Sequence, residues 1–254
     1  MITKSKIQLV RSLADKNSRL EYGLFVVEGR KLAAEAVASG YEIESLYVTE
    51  NASCRQQFES CSGKFESVSA KDMERMSKLK TPSEVLAVLR IPKVTVDLET
   101  FGNRLALCLD GIQDPGNIGT IIRIADWFGI ENVVCSPDCA DLYNPKTVQA
   151  TMGALFRVKA LYTQLPELLE KTVARSVPVY GTFLDGRDLY DSELSSGGVI
   201  ILGSEGRGIS PQTAPYVTQR LFIPPFPHSR HGSESLNVAA AAAVVCAEFR
   251  RRVR

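Results

Sequence analysis

Apolar residues alternate between helical and strand-like spacing in the first part of the chain. IQLVRSLADKNSRL has the spacing of an amphipathic helix, GLFVVEG predicts a short strand, and RKLAAEAVASG predicts a helix that ends at Gly40. ESLYVTE and EVLAVLRIP then predict strands, and NASCRQQFESC and KDMERMSKL predict helices. Together these elements predict a small α/β domain over residues 1–95.

From Arg104 onward, apolar runs of strand length alternate regularly with helical patterns. The predicted strands are LALCLDG, NVVCSP, VPVYGTFL, GVIILGSE and QRLFIPP, and the predicted helices are TIIRIADWFG, PELLEKTVARS and LNVAAAAAVVCAEFRRR. This alternation predicts a second α/β domain, over residues 103–254, with a mostly parallel sheet covered on both faces. The segment PKVTVDLETFGN, with its proline and Gly-Asn turn, connects the two domains.

Composition places the chain among globular proteins rather than disordered or fibrous ones, since 44% of its 254 residues are apolar and 23% are charged. The N-terminal segment lacks the apolar core of a signal peptide, and no run approaches the ~20 residues of a membrane span. We therefore expect a cytoplasmic protein. Its six cysteines show no CxxC spacing, which favours free thiols over a disulfide or zinc framework.

Basic residues cluster at both ends of a chain whose net charge is only +1. They are Lys4, Lys6, Arg11, Lys16 and Arg19 near the start, and Arg250, Arg251, Arg252 and Arg254 at the end. Such clusters can bind RNA phosphates, and they are equally typical of solubilising charges near chain termini.

The first motif, LDGIQDPGNIGTIIRIADWFG, spans residues 109–129 and leads from a strand through a loop into an apolar helix. Asn117 or Thr120 could cap that helix. Arg123 lies among isoleucines, where a guanidinium needs a partner because it cannot lose its proton. An arginine that extends to solvent, with Asn117 as an ordinary cap, explains the same residues.

The second motif, VIILGSEGRGIS, spans residues 199–210 and carries a glycine-rich turn at the end of an apolar strand. Backbone amides at the carboxyl edge of an open α/β sheet commonly bind ligands. The glycine order matches neither a dinucleotide-binding fingerprint nor a phosphate-binding loop. A tight turn with a solvated Glu205 fits the spacing equally well.

The third motif, over residues 221–249, leads from a strand ending at Pro224-Pro225 through a polar loop into an alanine-rich helix. Ser235 and Asn237 are both good helix-capping residues. His228 and His231 are the only histidines, and no third metal ligand is evident near them, so we expect no metal site.

Taken in order, the segments NIGTIIRIAD, ILGSEGRGI and IP…SLNVAAA resemble the three signature motifs of the SpoU (TrmH-like) family of RNA 2′-O-ribose methyltransferases. The similarity covers residues 105–249. The segment LFVVEGRKLAAEAV resembles the N-terminal RNA substrate-binding domain found on many of these enzymes.

The resemblance implies a trefoil-knotted α/β domain that binds S-adenosylmethionine (SAM) and forms homodimers. The catalytic set carried over by position is Asn117, Arg123, Glu205, Ser235 and Asn237. The implied cofactor-binding set is Thr182, Leu202, Gly203, Glu205, Gly206, Ile223, Pro225, Ser235 and Leu236. The sequence departs from the family in having Pro225 where methionine commonly follows Ile-Pro, and in a longer loop over residues 226–234.

The resemblance further implies methyl transfer from SAM to a ribose 2′-hydroxyl of RNA, with ribosomal RNA favoured over transfer RNA. Because a guanidinium is a poor base, our hypothesis is that Arg123 binds the adjacent phosphate and stabilises the developing alkoxide, while Asn117 and Glu205 orient Arg123. The alternatives are a non-catalytic RNA-binding protein of the same fold, and a SAM- or nucleotide-dependent enzyme on an ordinary doubly wound sheet.

Overall fold

The computed structural model describes residues 2–59, 61, 63–227 and 235–253. Packing divides the chain into two compact units: unit 1 comprises Met1–Lys93 with Asp141–Phe156, and unit 2 comprises Val94–Ala140 with Arg157–Arg254. The helices are α1 (Lys4–Ser12), α2 (Lys16–Tyr22), α3 (Arg30–Ala38), α4 (Arg55–Glu59), α5 (Ala70–Met76), α6 (Pro115–Trp127), α7 (Pro145–Thr151), α8 (Leu165–Val173) and α9 (Val238–Arg251). The strands are β1 (Leu24–Glu28), β2 (Ile43–Thr49), β3 (Phe65–Val68), β4 (Val85–Arg90), β5 (Leu105–Asp110), β6 (Asn132–Cys135), β7 (Lys159–Tyr162), β8 (Val179–Asp188), β9 (Gly198–Gly203) and β10 (Gln219–Phe222).

Unit 1 is built on a sheet of order β1-β4-β2-β3, in which β4 is antiparallel to both of its neighbours and β3 runs parallel to β2. Helices α1 and α5 pack together and contribute to one core with residues of the sheet. That core contains Ile7, Val10, Leu13, Leu24, Val26, Tyr47, Val68, Met73, Met76, Leu86 and Val88. The predicted α/β character of this region is therefore confirmed.

The helix predicted over residues 7–20 is in fact two helices, α1 and α2. The break occurs at Asp15, whose Oδ1 accepts hydrogen bonds from the backbone N–H groups of Asn17 (2.8 Å) and Ser18 (3.3 Å). Aspartate is a strong helix N-cap because it satisfies backbone donors that have no partner within the helix. Local capping thus overrides the continuous apolar spacing.

Strand β3 was not predicted from the sequence. It lies at the edge of the sheet, and Val68 is its only fully buried residue, so its apolar signal is weak. Pairing with β2, rather than the composition of the segment, holds it extended.

A segment from the second half of the sequence, Asp141–Phe156, packs in unit 1. The rings of Tyr143 and Phe25 lie 4.7 Å apart between centroids, and the Gln149 Nε2 amide donates to the carbonyl of Glu28 at 2.7 Å. Arg19 is only 2% exposed; its Nε donates to Asp141 Oδ2 at 3.0 Å and its Nη1 to the carbonyl of Leu13 at 2.7 Å. Arg19 is therefore a structural cation that cannot contact phosphate. The expectation that the basic N-terminal cluster binds RNA phosphates is wrong for this residue.

Unit 2 contains a sheet of order β10-β8-β9-β5-β6-β7, and every neighbouring pair of strands in it is parallel. Alternate residues of β5 and β9 face α8 in a core that includes Ala106, Cys108, Val199 and Ile201. Helices α6 and α9 pack against each other, and α9 packs on β9. The predicted parallel α/β fold is confirmed, although β7 was not among the predicted elements; nor was α7, which belongs to unit 1.

The segment predicted to connect the domains belongs largely to unit 2. Its residues 98–102 form a 3₁₀ helix, in which Phe101 is fully buried in the core beneath α8. Gly197 lies so close to this helix that a Cβ atom there would stand 2.5 Å from the carbonyl oxygen of Gly102.

Arginines at the C-terminal end of α9 make internal contacts. Arg250 Nε donates to the carbonyl of Phe128 at 2.7 Å, at the end of α6, and Arg252 Nη2 donates to the carbonyl of Tyr190 at 2.6 Å. Hydrogen bonds from Arg251 and Arg252 hold the pKa of Glu248 at about 2. Arg250 and Arg252 are therefore committed to the fold and are not free phosphate ligands.

All six cysteines are free thiols, and all but Cys61 are buried. Among the residues that the structure describes, no helix has both the length and the apolar character needed to cross a bilayer.

Replacing Arg19 with methionine should destabilise the protein. The substitution keeps much of the aliphatic volume but leaves Asp141 without its guanidinium and the Leu13 carbonyl without a donor, so we expect a loss of about 3 kcal/mol in the free energy of unfolding. Arg75→Met is the matched control, because Arg75 forms an exposed ion pair with Asp72, and it should cost less than about 1 kcal/mol. Urea denaturation of the full chain measures both; equal losses would contradict the structural role of Arg19.

Candidate active site

The first motif places Asn117 in the first turn of α6, where its side chain does not cap the helix. The helix is capped by Asp114, whose Oδ1 accepts a hydrogen bond from the backbone N–H of Asn117 at 2.8 Å. The capping predicted for Asn117 or Thr120 is therefore wrong, and the Thr120 hydroxyl instead donates to the carbonyl of Gly116 at 2.8 Å. An aspartate followed by proline is itself a helix-start signal, so Asp114 could have been identified from the sequence.

The second motif forms a tight turn at the end of β9. Ser204 and Gly208 exchange two backbone hydrogen bonds, of 3.1 and 2.8 Å, which leaves Glu205 exposed at the tip of the turn. Gly203 is required for this shape, since a Cβ atom there would lie 2.2 Å from the carbonyl carbon of Gly208. The Asp110 carboxylate at the end of β5 accepts a hydrogen bond from the N–H of Ser210 at 2.8 Å, which ties the turn to the neighbouring strand.

The third motif places Asn237 at the N-cap of α9. Its Oδ1 accepts hydrogen bonds from the N–H groups of Ala239 (3.0 Å) and Ala240 (3.3 Å), so the capping interpretation is confirmed. The other end of the same amide, Nδ2, remains free to donate. The Asn237 side chain therefore caps α9 through its oxygen and can donate a hydrogen bond within the site through its nitrogen.

The three motifs meet at one carboxylate oxygen. Glu205 Oε1 accepts hydrogen bonds from Asn117 Nδ2 at 2.9 Å and from Asn237 Nδ2 at 2.8 Å, and Asn237 Nδ2 also lies 3.1 Å from Asn117 Oδ1. The positive end of the α9 dipole adds to the stabilisation of the negative charge. Segments that are up to 120 residues apart in sequence are thus joined by one acceptor.

Arg123 is not part of this hydrogen-bonded group. It is exposed, and within the described residues it forms no hydrogen bond or ion pair. It lies about 9 Å along the helix axis from Asn117, and helical side chains lean toward the N-terminal end, where Asn117 is. The hypothesis that Asn117 and Glu205 orient Arg123 is not supported by any direct contact among the described residues. The guanidinium is therefore available to bind an anion from solution.

Several predicted cofactor-binding residues lie in or directly after three adjacent strands, β8, β9 and β10. Thr182 is the first residue after β8 stops pairing with β9, and its hydroxyl donates to the carbonyl of Ile201 at 3.4 Å. Leu202 and Gly203 end β9, and Ile223 follows β10. Leu202 is fully buried, backbone included, so it has no exposed surface for a ligand to contact.

The remaining predicted residues are open to solvent. Gly206, Pro225, Ser235 and Leu236 are exposed, and Leu236 keeps 50% of its surface accessible. His228, His231 and most of the lengthened loop lie outside the described residues.

Beside the turn, the loop after β6 is fastened to the loop after β5. The N–H of Ile112 donates to Cys139 Sγ at 3.3 Å, and the Ser136 hydroxyl accepts from the N–H of Gly111 at 2.9 Å. Hydrogen bonding from the Cys135 thiol lowers the pKa of Cys139 to about 7. These contacts, which were not predicted from the sequence, hold the loops after β5 and β6 together at the carboxyl edge of the sheet.

Both parts of the chain are similar to known protein families. Residues 104–247 match the SpoU rRNA Methylase family, and residues 4–87 match the MRM3-like substrate binding domain. The chain is 29% identical over 246 residues to the 23S rRNA (guanosine(2553)-2′-O)-methyltransferase RlmP of Bacillus subtilis, with 96% of each chain covered.

Solved structures show the same relationship over the whole length. A protein from Porphyromonas gingivalis assigned to the TrmH family of RNA methyltransferases superposes with a TM-score of 0.87 at 40% identity, covering 99% of both chains. The SpoU methyltransferase AviRb from Streptomyces viridochromogenes, solved in complex with AdoMet, superposes with a TM-score of 0.85 at 25% identity, covering 99% of this chain and 98% of the other.

Two substitutions of Asn237 should separate its capping role from its contact with Glu205. Serine is also a good N-cap, whereas alanine is not, so Asn237→Ala should lower the free energy of unfolding by about 1 kcal/mol more than Asn237→Ser. Both variants lose the amide that donates to Glu205, so the difference between them reports the cap alone. Equal denaturation midpoints for the two variants would refute the capping role.

Proposed function

The chain belongs to the SpoU rRNA methylase family, as its three motifs predicted, and on that premise we propose that it transfers a methyl group from SAM to a ribose 2′-hydroxyl of ribosomal RNA. The observation that carries the proposal is the convergence of Asn117, Glu205 and Asn237 on one carboxylate oxygen. A site held by hydrogen bonds from three separate segments is preorganised, as positioning catalysis requires.

The residues at the strand ends fit SAM. The exposed apolar surface of Leu236 and Pro225, near the end of β10 and the start of α9, suits an adenine ring, and the glycine-rich turn leaves open space around Gly206. The backbone of Gly203, which is only partly buried, offers polar groups at the same sheet edge. When bound, SAM supplies an electrophilic methyl group on a sulfonium centre.

Arg123 supplies the phosphate contact in this proposal. A guanidinium without an internal partner binds a phosphodiester through two parallel hydrogen bonds, which orients the attached ribose and stabilises negative charge on its 2′-oxygen. Among the described residues, hydrogen bonds reach only Oε1 of Glu205, so Oε2 is the atom available to accept the 2′-hydroxyl proton as the oxygen–methyl bond forms. Ser235, exposed just before α9, contacts ribose or cofactor through its hydroxyl.

Ribosomal RNA is the proposed substrate class because the curated relative RlmP acts on 23S rRNA and the match covers nearly the whole of both chains. Unit 1 supplies binding affinity and selects the RNA, as the match to a substrate-binding domain suggests. Single-stranded or looped RNA exposes the 2′-hydroxyl best. With ribosomal RNA as its substrate, the enzyme is proposed to act in the cytoplasm. Transfer RNA and binding without catalysis are the alternatives.

Replacing Arg123 should abolish most methyl transfer without weakening SAM binding. We expect both Arg123→Ala and Arg123→Lys to lower kcat by on the order of hundredfold, because a point charge cannot replace the planar guanidinium. The measurement uses radiolabelled SAM and ribosomal RNA from cells that lack the gene. Arg175→Lys is the control, since Arg175 is an arginine outside the three motifs that forms an exposed ion pair with Glu99.

The product identifies the chemistry, because a methylated 2′-oxygen makes the adjacent phosphodiester resistant to alkali. Label that appears only in alkali-sensitive RNA, or near wild-type turnover of Arg123→Lys at elevated pH, would contradict the proposal. SAM and RNA binding without transfer would support the non-catalytic alternative.

We also propose that two copies associate through α6 and α9. Trp127, at the end of α6, is 85% exposed, and the neighbouring α9 presents the exposed small residues Ala240 and Ala247. An exposed indole on α6 and exposed alanines on α9, which packs against α6, offer an apolar surface that a second copy buries at close approach. The family resemblance, which implies homodimers, favours this occupant.

Sedimentation should therefore give a dimer for the wild-type protein and a monomer for Trp127→Glu. Trp127 is the only tryptophan, so its fluorescence emission should also shift to longer wavelength when the wild-type protein is diluted below its dissociation constant. Tyr22→Glu is the control, because Tyr22 is 47% exposed and belongs to α2 rather than to α6 or α9. A dimer that survives Trp127→Glu would place the interface elsewhere.

A further inference from the structure

A cleft of about 430 Å³ with both polar and apolar lining lies at the carboxyl edge of the unit 2 sheet, apart from the residues assigned to SAM. It opens between the ends of β5 and β6, the start of α8 and the turn after β9. Its volume is within the range of small-ligand sites in proteins. Neither the reaction nor the cofactor, as proposed above, uses this cleft.

Several side chains that line the cleft have polar groups available to hydrogen-bond with a ligand. Gln164 and Gln212 are exposed, and their amides have no partner among the described residues. Arg207 is 73% exposed, and its Nη2 lies 3.8 Å from Asp138 Oδ2, at the far limit of an ion pair. Such a loose, solvated pair contributes little, so a ligand can separate it at small cost.

Apolar walls accompany these polar groups. Pro137, Pro166 and Pro211 line the cleft, and proline rings are rigid and lose little entropy when covered. A flat heterocycle with both donors and acceptors on its edge matches this combination, and unpaired RNA bases have that chemistry. The two glutamines and the Arg207–Asp138 pair provide donors and acceptors together.

The cleft and the candidate active site lie on the two sides of one turn. Glu205, in the Ser204–Gly208 turn, contacts Asn117 and Asn237, whereas Arg207 in the same turn reaches toward Asp138. Only one residue separates Glu205 from Arg207 along the chain. A nucleotide adjacent to the reacting ribose is therefore in reach of the cleft.

We propose that this cleft binds the base of an unpaired nucleotide next to the methylated one, and so contributes to the choice of target site. The inference rests on the proposed function, since it takes RNA as the substrate. Arg207 contacts the acceptor edge of the base or stacks on it, and Asp138 Oδ2 accepts from a base N–H once the ion pair opens.

The test measures RNA binding, SAM binding and turnover separately, using the full chain. We expect Arg207→Gln and Gln212→Ala each to raise KM and Kd for ribosomal RNA, about tenfold for Arg207→Gln, a factor that corresponds to one good charge-assisted contact. The kcat at saturating RNA and the Kd for SAM should stay within about twofold of wild type, which a general disruption of the turn would not allow. The turn should survive Arg207→Gln, because the backbone N–H of Arg207, not its side chain, bonds to Ser204 Oγ.

Arg175→Gln removes the same charge from another exposed ion pair of unit 2, so it controls for nonspecific attraction to phosphate. Equal losses for Arg175→Gln and Arg207→Gln, or a Kd for SAM that rises in the cleft variants, would overturn the cleft assignment. If the wild-type protein binds RNA without methylating it and Arg207→Gln still weakens RNA binding selectively, the proposed function fails and the cleft stands. If the wild-type protein methylates RNA and neither cleft variant changes KM or Kd for RNA, the proposed function stands and the cleft assignment fails.

Discussion

The Glu205 carboxylate accepts hydrogen bonds from the two other motifs, and these contacts join the three motifs of this chain. One of its oxygens accepts from two asparagine amides that belong to different helices, so the starts of α6 and α9 are held against the turn after β9. Hydrogen bonds to a charged acceptor contribute about 1.5–3 kcal/mol each, more than neutral ones. Losing any one partner would therefore loosen the other two.

Each asparagine can serve this junction only because the helix caps are arranged accordingly. Asp114 caps α6, which releases the side chain of Asn117, while Asn237 caps α9 with its oxygen and keeps its nitrogen for Glu205. The parallel sheet supplies the rest of the scaffold, since β5 and β9 are adjacent and end at the same edge. Gly203 then allows the turn to fold back tightly enough to present Glu205.

Much of the architecture could be predicted from the sequence, for identifiable reasons. Buried parallel strands such as β5 and β9 are continuous apolar runs, and the alanine-rich α9 begins at a capping residue, so both were found. Strands β3 and β7 lie at sheet edges and carry mixed residues, which hides them from periodicity. The packing of Asp141–Phe156 within unit 1 depends on contacts between distant parts of the sequence, and no local pattern contains that information.

The candidate site divides in the same way. Motif resemblance selected Asn117, Glu205 and Asn237, and the structure brings these three together. It could not indicate that Arg123 stands apart from them, because that depends on where a long exposed side chain finds a partner. The cleft beside Arg207 was also invisible in the sequence, since its walls come from four separate loops and helix starts.

We infer that Asn117 and Asn237 act on catalysis as one unit through Glu205, and a double-mutant cycle on kcat tests this coupling. Asn117→Ala, Asn237→Ser and the double variant would be assayed with saturating SAM and ribosomal RNA, using serine at position 237 to preserve the cap of α9. If the residues act as a unit, the double variant should lose little more activity than the more impaired single variant. Losses that simply multiply would show two independent residues and contradict the account.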